Sequence, residues 1–574
     1  MKQPDIANVS GLFEASARYK APVFQRFYVW KKRELTALMD DIETADPNPD
    51  HGQFLGAIVL KDLGRLKGPT SPSNYLMVDG QQRLTTFYML FAALAKIARD
   101  HGDTDTAEYI AKNYLAEVKS PKFAGLPKLV PTLQDRFAMW QILTTHITEI
   151  DWNFRDDPAE DKLNPNDTLT PQWERILDYF KTTFIDSKGL FVKDAFDRTL
   201  RTIQEYLKLI VITLDETDDM NAIFSTLNAK GVRLELSDLA RNEVFSKFES
   251  DEAEKAEKFY SKTWQPFEKR FPGKTLNQFF PVYAYIVFKG KVTKSEAFPR
   301  LQVRWSKSKP GSILTDLEKY SPYCIGLAKY AKYPYFTADL NAHIERFSRM
   351  HPPTVTWPFL IETLHATAEK RLQVSAAIRI LQIVESFLVR RSLKGLEPTG
   401  LHAVFKTLWD KTKGDIDVVL EKIVTRTIQV PEDGDLRSAL SNQPVDTRVM
   451  LRYILQEYER DFTKKHKYDL TPIVATIEHI VPQHLSAEWS KMFSISEHKR
   501  LVGLIGNLAA LSATQNKSLQ DQPWTEKRKR FKGSDFKTTQ ILARENQWNP
   551  EAILDRTRNL TKWIISRWPP LESF

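Results

Sequence analysis

The sequence predicts a multidomain α+β protein in which helices predominate beyond about residue 245. Its 574 residues exceed what one hydrophobic core holds, and about 150 residues per domain indicates two to four domains. Short apolar runs rich in β-branched residues alternate with helical periodicity in the first part of the chain, and helical periodicity dominates the middle. These patterns predict three zones: 1–245, 246–440 and 441–574.

The first zone combines buried strands with amphipathic helices. Three short apolar runs are typical of buried strands: Gln53–Leu60, Tyr75–Val78 and Leu207–Leu214. Two segments repeat apolar residues at helical spacing: Leu35–Ile42 and Leu84–Ala98. Residues 152–172 are rich in Asp, Asn and Pro, which predicts an exposed loop or insertion.

The second zone is predicted to be helical, and helices are also predicted in the third zone. Between Ile380 and Leu388, apolar residues recur at positions i, i+3, i+4, i+7 and i+8, which is the spacing of a buried helix face. A basic pair and then Gly395 follow, as at the carboxyl end of a helix. In the third zone, Val449–Tyr458 has the pattern of another helix.

Composition is typical of a soluble globular protein. Hydrophobic residues make up 42% of the chain and charged residues 27%, which are ordinary values. No apolar run approaches the roughly 20 residues of a membrane helix, and the first residues lack the apolar core of a secretion signal. The single cysteine, Cys324, excludes an intrachain disulfide and a cysteine-rich zinc site. We therefore expect a cytoplasmic protein with no membrane partner, whose metals would be held by oxygen and nitrogen.

Positive charge is concentrated near the carboxyl end. The net charge of +9 favours polyanionic partners such as nucleic acid. From Lys517 onward there are 12 lysines and arginines against 7 acidic residues, a surplus of 5 charges. Five residues of this segment are predicted to contact DNA phosphates: Lys517, Lys527, Arg528, Lys529 and Arg530. The alternative interpretation is a solvated helix face.

An acidic residue beside a histidine, Glu478-His479, begins the strongest chemical motif. Asn507 follows 28 positions after the histidine, and Asn516 follows 9 positions later. The histidine can deprotonate a water, since its ordinary pKa of about 6.5 leaves it mostly neutral in cells. Glu478 and Asn516 offer hard oxygen ligands to Mg²⁺ or Mn²⁺. These four residues predict one-metal phosphodiester cleavage, and their spacing resembles the HNH nuclease signature with its ββα-metal core.

Several residues around this motif have simpler interpretations as well. Within the catalytic set, Asn507 is expected to orient the hairpin and the histidine rather than touch metal, and a plain Gly506-Asn507 turn is nearly as good an interpretation. Asn516 could instead cap a helix or lie in a loop. His484 and His498 are expected to be exposed and to have no catalytic part.

A second motif is a strand, a turn and a helix start at residues 76–86. Gly80 permits a tight turn, and the helix start beyond it presents free backbone N–H groups. Arg83 offers a guanidinium suited to phosphate, and Thr85 and Thr86 add hydroxyls. This pattern predicts an anion cradle, although any strand–glycine–helix turn has the same form.

Three N-terminal segments and the C-terminal motif occur together in this chain. They are Pro22–Trp30, Val78–Thr86, Phe224–Gly231 with Leu234, Asp238, Leu239 and Asn242, and then Glu478-His479-Ile480, Gly506-Asn507-Leu508 and Asn516. In this order they resemble the GmrSD-type modification-dependent (type IV) restriction endonucleases. That family fuses a ParB/sulfiredoxin-like N-terminal domain to a C-terminal HNH nuclease domain.

The resemblance implies a nucleotide site in the N-terminal domain. Such a domain would bind and hydrolyse a nucleoside triphosphate (ATP, GTP or CTP) and help to sense modified DNA. By position, the residues at this site would be Asp79, Gly80, Gln81, Gln82 and Arg83, with Gln25 and Arg26 nearby. Two residues depart from the family: Phe24 stands where many relatives have tyrosine, and Arg241 where relatives often have lysine. A phenolic hydroxyl and a catalytic amine are therefore missing at these positions.

The predicted function is a nucleotide-regulated, metal-dependent endonuclease that cleaves or nicks double-stranded foreign or modified DNA. One HNH site cuts one strand per event, so a double-strand break would need a second site or a homodimer. Two rival interpretations stay open at this point. One is a nucleotide-switched, non-catalytic DNA-binding adaptor, which the intact nuclease motif argues against. The other is an HNH ribonuclease toxin.

Overall fold

The computed structural model describes residues 4–22, 25–45, 52–66, 68, 71–154, 167–215, 235–248, 253–396, 399–446, 450–466, 475–517 and 519–574. The chain divides into two compact units, the first formed by 1–267 with 307–310 and the second by 268–306 with 311–574. The architecture is mixed α/β and mostly helical. The zone boundaries near residues 245 and 440 stay predictions.

A mixed six-stranded sheet lies in the first unit. Its strands are β1 (Asp5–Asn8), β2 (Ala17–Lys20), β3 (Gln53–Arg65), β4 (Ser73–Asp79), β5 (Leu129–Val130) and β6 (Leu207–Leu214). The strand order is β1-β6-β3-β4-β2-β5. The pairs β1–β6 and β3–β4 are antiparallel and the other pairs are parallel. All three runs predicted as strands are confirmed, in β3, β4 and β6.

One long helix forms the centre of the first unit's core. The α-helices that the structure describes before residue 265 are α1 (Val9–Glu14), α2 (Lys32–Thr44), α3 (Gln81–Asp100), α4 (Thr104–Ile110), α5 (Leu133–His146), α6 (Leu169–Phe184), α7 (Lys193–Arg201), α8 (Leu236–Phe245) and α9 (Ala253–Phe259). Helix α3 contains the predicted helix Leu84–Ala98, and nearly all of its side chains are buried. Because α3 is apolar on most sides, it can pack against several elements at once.

The loop predicted at residues 152–172 is wrong at its end. Helix α6 begins at Leu169, and Gln172 is only 3% exposed. Leu169, Trp173 and Ile176 lie on one helical face, and burial of that face extends the helix into the polar segment. Residues 155–166 lie outside the described part of the chain.

Helices dominate from residue 265 onward. They are α10 (Gln265–Lys269), α11 (Thr275–Val287), α12 (Ala297–Trp305), α13 (Pro310–Glu318), α14 (Ser321–Ala328), α15 (Ala338–Met350), α16 (Trp357–Ala368), α17 (Val374–Lys394), α18 (Leu401–Thr412), α19 (Ile416–Ile423), α20 (Asp433–Asn442), α21 (Leu451–Lys465), α22 (Ile495–Leu501), α23 (Ala513–Lys517), α24 (Trp524–Lys532), α25 (Lys537–Gln540) and α26 (Pro550–Arg567).

The predicted helical face between Ile380 and Leu388 is confirmed in α17. Its residues are buried, and Gly395 ends the helix in the left-handed conformation with φ of +79°. The predicted helix Val449–Tyr458 is confirmed from Leu451 onward, while Val449 itself lies outside the described residues. Among the helices that the structure describes, none is both long and apolar enough to cross a membrane.

A two-stranded antiparallel hairpin lies near the carboxyl end of the second unit. Its strands are β7 (Thr476–His479) and β8 (Leu508–Leu511), and the short helix α23 follows β8. All four residues of β8 are buried. The core beside the hairpin includes Ile480, Val481 and Leu504.

Candidate functional site

The hairpin holds the Glu478-His479 pair at the end of a strand. Glu478 pairs with Ala509 and His479 with Leu508 across the two strands. Beyond His479 the chain turns inward, because Ile480 and Val481 are fully buried apolar residues. Burial of the residues after the pair and of β8 beside it therefore limits how far the backbone of Glu478 and His479 can move.

Asn507 clamps the chain that follows the histidine. It is fully buried, and its Oδ1 accepts a hydrogen bond from the Val481 N–H at 2.8 Å. Its Nδ2 donates to the carbonyl oxygens of Val481 and Val502, both at 2.9 Å, and Trp548 donates Nε1–H to Oδ1 at 3.3 Å. These contacts are those of a residue that orients the hairpin, rather than of a plain turn residue.

A cavity of about 500 Å³ brings three of the four predicted motif residues together. It is lined by Ile477, Glu478, His479, Pro482, Gln483, His484, Asn516, Gln520 and Asp521. Asn516 lies on α23, and its Nδ2 donates to the Ile477 carbonyl and the Thr476 hydroxyl, both at 3.0 Å. These two bonds tie the helix to β7. Asn507 does not line the cavity.

The prediction that Lys527 contacts DNA is wrong. Its side chain is fully buried, and its Nζ lies 2.5 Å from Oε1 of Glu478 and donates to the His479 carbonyl at 2.8 Å. The helical spacing of Trp524, Lys527 and Phe531 on α24 (i, i+3, i+7) places all three on the buried face. That periodicity was a signal that the lysine points inward.

Burial perturbs both members of this ion pair. It raises the pKa of Glu478, and the charge and hydrogen bond of Lys527 oppose that rise. It lowers the pKa of Lys527, and Glu478 opposes that change in turn. Because each charge stabilises the other, the pair behaves as a charged unit inside the protein.

Asp446 is a partner of the histidine that the motif did not reveal. Its Oδ2 lies 3.2 Å from Nε2 of His479. A proton on Nε2 satisfies this contact and leaves Nδ1 as the basic nitrogen. Burial lowers the pKa of His479, while the hydrogen bond to Asp446 opposes that change. No spacing rule marks an aspartate 33 residues before the histidine, so tertiary structure was needed to find it.

Oxygen donors in the cavity are of the type that a hard divalent cation takes. Glu478, Asn516 and Asp521, whose side chains carry oxygen atoms, are among its lining residues. Lys527 engages one oxygen of Glu478 and leaves Oε2 for other partners. Within the described residues, no three or more His, Cys, Asp or Glu side chains are grouped as a metal site requires. A cation here would therefore rely on few protein ligands and complete its shell with water and phosphate.

Other residues of the basic segment differ in exposure. Arg528 is half-buried, and its Nε donates to the Ala543 carbonyl at 2.8 Å. Lys529 and Arg530 are exposed. The side chain of Lys517 lies outside the described residues. Lys529 and Arg530 are therefore exposed enough to contact DNA, whereas the Arg528 side chain already binds the backbone at Ala543.

His484 and His498 also differ in their environments. His484 is exposed and lines the cavity. His498 is buried, with Nε2 at 2.8 Å from the Pro482 carbonyl oxygen, so the prediction of an exposed His498 is wrong.

The N-terminal motif forms the turn between β4 and α3. Gly80 has φ of +87°, and a Cβ there would lie 2.5 Å from Cγ2 of Ile58, so any other residue would be both strained and crowded. Within α3, the first hydrogen bond runs from the Leu84 N–H to the Gly80 carbonyl, and Gly80 offers no side chain as a cap. Backbone N–H groups at this helix start can therefore meet an anion.

The glutamines of this motif hold the preceding segment in place. Gln81 donates Nε2–H to the Arg26 carbonyl at 2.9 Å. Gln82 accepts from the Val29 N–H at 2.8 Å, and Gln25 donates to the Val78 carbonyl at 3.3 Å. Oε1 of Gln81 is buried with no hydrogen-bond partner among the described residues. This orphaned acceptor is the kind of group that a bound ligand can satisfy.

Charged side chains surround the same turn. Burial raises the pKa of Asp79, whereas the Gly80 N–H, Arg83 and Arg26 oppose that rise. Arg83 donates Nη1–H to the Ala57 carbonyl at 3.0 Å, and burial lowers its pKa. The two arginines beside one carboxylate fit an anionic group such as a phosphate.

Parts of the family motifs fall outside the described residues. These parts are Val23, Phe24, Phe224–Gly231 and Leu234. Asp238 and Asn242 lie on α8, where Asp238 accepts from the Glu235 N–H at 3.3 Å and forms an ion pair with Arg241 at 3.4 Å. Asp238 therefore contributes to the cap at the amino end of α8.

Two family models match the chain. The GmrSD restriction endonuclease N-terminal domain matches residues 9–245, and the GmrSD restriction endonucleases C-terminal domain matches residues 430–563. No curated protein gives a significant match. The two matched segments contain the turn at Gly80 and the cavity at His479, respectively. The chain therefore belongs to the GmrSD family of restriction endonucleases.

Proposed function

We propose that this restriction-type nuclease is a metal-dependent HNH endonuclease acting on modified or foreign double-stranded DNA. The observation that carries the proposal is that Glu478 and His479 of β7 and Asn516 of α23 line one cavity. An acid, an imidazole and an amide at one open cavity can together support metal-assisted phosphodiester hydrolysis.

His479 acts as the general base in this proposal. Its Nε2–H donates to Asp446, which keeps the ring in one orientation and leaves Nδ1 to accept a proton from water. The lowered pKa of His479 keeps the ring neutral near pH 7. The clamp formed by Asn507 fixes the backbone immediately after the base, so the ring keeps its position during the reaction.

Glu478 and Asn516 are the residues that would hold Mg²⁺ or Mn²⁺. When bound, a divalent cation supplies charge stabilisation at the scissile phosphate. Lys527 keeps the Glu478 carboxylate ionised in its buried position and restrains it through Oε1. The exposed Lys529 and Arg530 are available to attract DNA phosphates.

The turn at Gly80 is proposed as a nucleoside triphosphate site that regulates cleavage. Support comes from the free helix start, from Arg83 and Arg26 beside Asp79, and from the unpaired Oε1 of Gln81. Gln81, Gln82 and Gln25 bind backbone atoms of the surrounding segments. A ligand at this turn could therefore alter the segment that follows Gln25, which would give the domain a means to report nucleotide binding.

A cleavage panel tests the proposed activity. The purified chain is incubated with Mg²⁺ and with unmodified, methylated, glucosylated or phosphorothioated DNA, or with RNA, each with and without nucleoside triphosphate. We expect cleavage of at least one modified DNA, loss of cleavage when the metal is chelated, and a change in rate with nucleotide. Cleavage of RNA alone would support the ribonuclease interpretation, and DNA binding without cleavage under any condition would support the adaptor.

Replacing Arg83 by alanine is expected to weaken nucleoside triphosphate binding by roughly 10- to 100-fold, since a hydrogen bond to a charged group is lost. Binding is measured by calorimetry with ATP, GTP and CTP. The matched control is Arg33→Ala, which removes an exposed arginine from α2. Equal affinities in the Arg83 variant and the wild type would remove Arg83 from the nucleotide site.

A further inference from the structure

A second cavity lies among the helices of the middle of the chain. It has a volume of about 330 Å³ and is bordered by α11, α16 and α18. It shares no lining residue with the cavity at His479. Its size is at the lower end of the range of small-molecule sites, about 300–1,000 Å³, which is suited to a small ligand rather than a duplex.

Cations outnumber carboxylates in the lining of this second cavity. Five cationic side chains line it: Lys289, Arg304, Arg371, Lys406 and Lys413. The two carboxylates are Glu362 and Asp410. Asp410 pairs with Lys413 at 2.6 Å and also lies 3.8 Å from Lys289. Arg304 and Arg371 already pair with Asp316 and Glu369, at 3.0 Å and 2.7 Å. Asp410 faces two ammonium groups, so the surplus of positive charge that favours an anion comes from Lys289, Lys406 and Lys413.

Two of these lysines occupy backbone positions that favour glycine. Lys289 follows α11 with φ of +53°, and Lys413 follows α18 with φ of +50°. A side chain costs energy in this left-handed region, and glycine is the usual residue after a helix. Lysine at both places carries ammonium groups to the border of the second cavity.

Aromatic side chains and the carboxyl group of Glu362 complete the lining of the second cavity. Tyr285, Tyr320, Phe405 and Trp409 line the second cavity. Glu362 lies among them half-buried, and neither a hydrogen bond nor an ion pair to its carboxyl is found in the described part of the chain. Burial raises the pKa of Glu362 to about 7, with Arg371 and Lys413 opposing the rise. Such a carboxyl can hydrogen-bond a ligand group that the protein itself does not provide.

We propose that the second cavity binds a single nucleotide unit, with its phosphate beside Lys289 and Lys413 and its base against the aromatic side chains. Phosphate complements the cationic border, and aromatic side chains can stack on any of the nucleic-acid bases. Glu362 is placed to accept a hydrogen bond from an exocyclic amine of the base. The nucleotide could be a free monophosphate or one unit of a single strand, since both present this chemistry.

The test uses variants that remove charge without disturbing the backbone. Lys289→Gly and Lys413→Gly are combined, because glycine accepts the left-handed conformation at both positions. Lys370→Gly is the matched control. Lys370 also has a positive φ, of +60°, is exposed, and follows α16 without lining the second cavity.

Calorimetry with the full-length chain compares adenosine 5′-monophosphate, inorganic phosphate and a single-stranded oligonucleotide of about eight nucleotides. We expect saturable binding of the monophosphate or the oligonucleotide to the wild type and to Lys370→Gly, and affinity roughly tenfold weaker or more in the double lysine variant. Whichever of the two probes binds identifies the source of the nucleotide. Glu362→Leu, which removes the acceptor oxygens, should weaken binding of the base-containing probe without weakening that of phosphate.

Three results would overturn the proposal. The first is the absence of saturable binding for every probe. The second is equal affinity in the double lysine variant and in Lys370→Gly. The third is binding that Arg83→Ala abolishes and the double variant retains, which would assign the nucleotide to the turn at Gly80. These results are independent of DNA cleavage, so they distinguish failure of this proposal from failure of the proposed nuclease.

Discussion

Replacing His479 by alanine is expected to reduce the rate of DNA cleavage by about 10²–10⁴-fold, the usual contribution of a general base. The reason is that the variant has no nitrogen at the cavity to take the proton from the attacking water. DNA affinity should stay nearly unchanged, because His479 is a mostly neutral side chain of which 18% is exposed. Single-turnover cleavage and equilibrium DNA binding measure the two quantities separately.

His402→Ala is the matched control for this experiment. His402 is an exposed histidine on α18 and does not line the cavity at His479, so its loss should leave cleavage unchanged. Cleavage at the wild-type rate by the His479 variant would remove the histidine from the role of base. A parallel loss of DNA binding would instead indicate a contribution to substrate binding.

Replacing Lys527 by methionine is expected to lower the free energy of unfolding of the nuclease region by about 3–5 kcal/mol. This is the range for breaking a buried ion pair. Methionine retains much of the apolar stem but leaves the Glu478 carboxylate, 6% exposed, without its cation. The variant also loses the hydrogen bond to the His479 carbonyl. Denaturant unfolding followed by tryptophan fluorescence provides the measurement, since Trp524 lies on the same helix face.

Two further variants distinguish the effect of losing the ion pair from the effect of a change in packing. Lys529→Met makes the same change at an exposed position two residues away and should alter stability by less than about 0.5 kcal/mol. Glu478→Gln combined with Lys527→Met removes both charges and should recover part of the lost stability. Wild-type stability in Lys527→Met would contradict the buried pair, and so would a double variant less stable than either single one.

Much of the secondary structure could be predicted from the periodicity of apolar residues in the sequence. The strands at Gln53, Tyr75 and Leu207 and the helices in α3 and α17 follow from local apolar patterns, because burial of one face repeats at the period of the element. The predicted loop at residues 152–172 was wrong at its carboxyl end for a related reason. Composition marked residues 152–172 as polar, but the apolar face that is buried against the core begins within that segment.

The candidate nuclease site was only partly accessible from the sequence. Motif spacing selected Glu478, His479 and Asn516, which line one cavity, while their proposed roles stay predictions. Asp446 was not selected, because its contact with the histidine depends on how the segment after α20 packs and not on sequence spacing. The turn at Gly80 was selected by its strand–glycine–helix pattern. The hydrogen bonds from Gln81 and Gln82 to the backbone of Arg26 and Val29 could be identified only from the tertiary structure.

By itself, the sequence determined the mixed α/β, multidomain character, the main secondary-structure elements and the family, because periodicity and motif order depend on residues that are close in the sequence. Tertiary structure decided which charges are buried and paired. Lys527 and Lys529 look equivalent in a basic run, but they lie on different faces of the helix. Lys527 is therefore buried against Glu478, whereas Lys529 is exposed and pairs with Glu526 on the surface. Such pairings join residues tens of positions apart, and the packing of complete elements creates them.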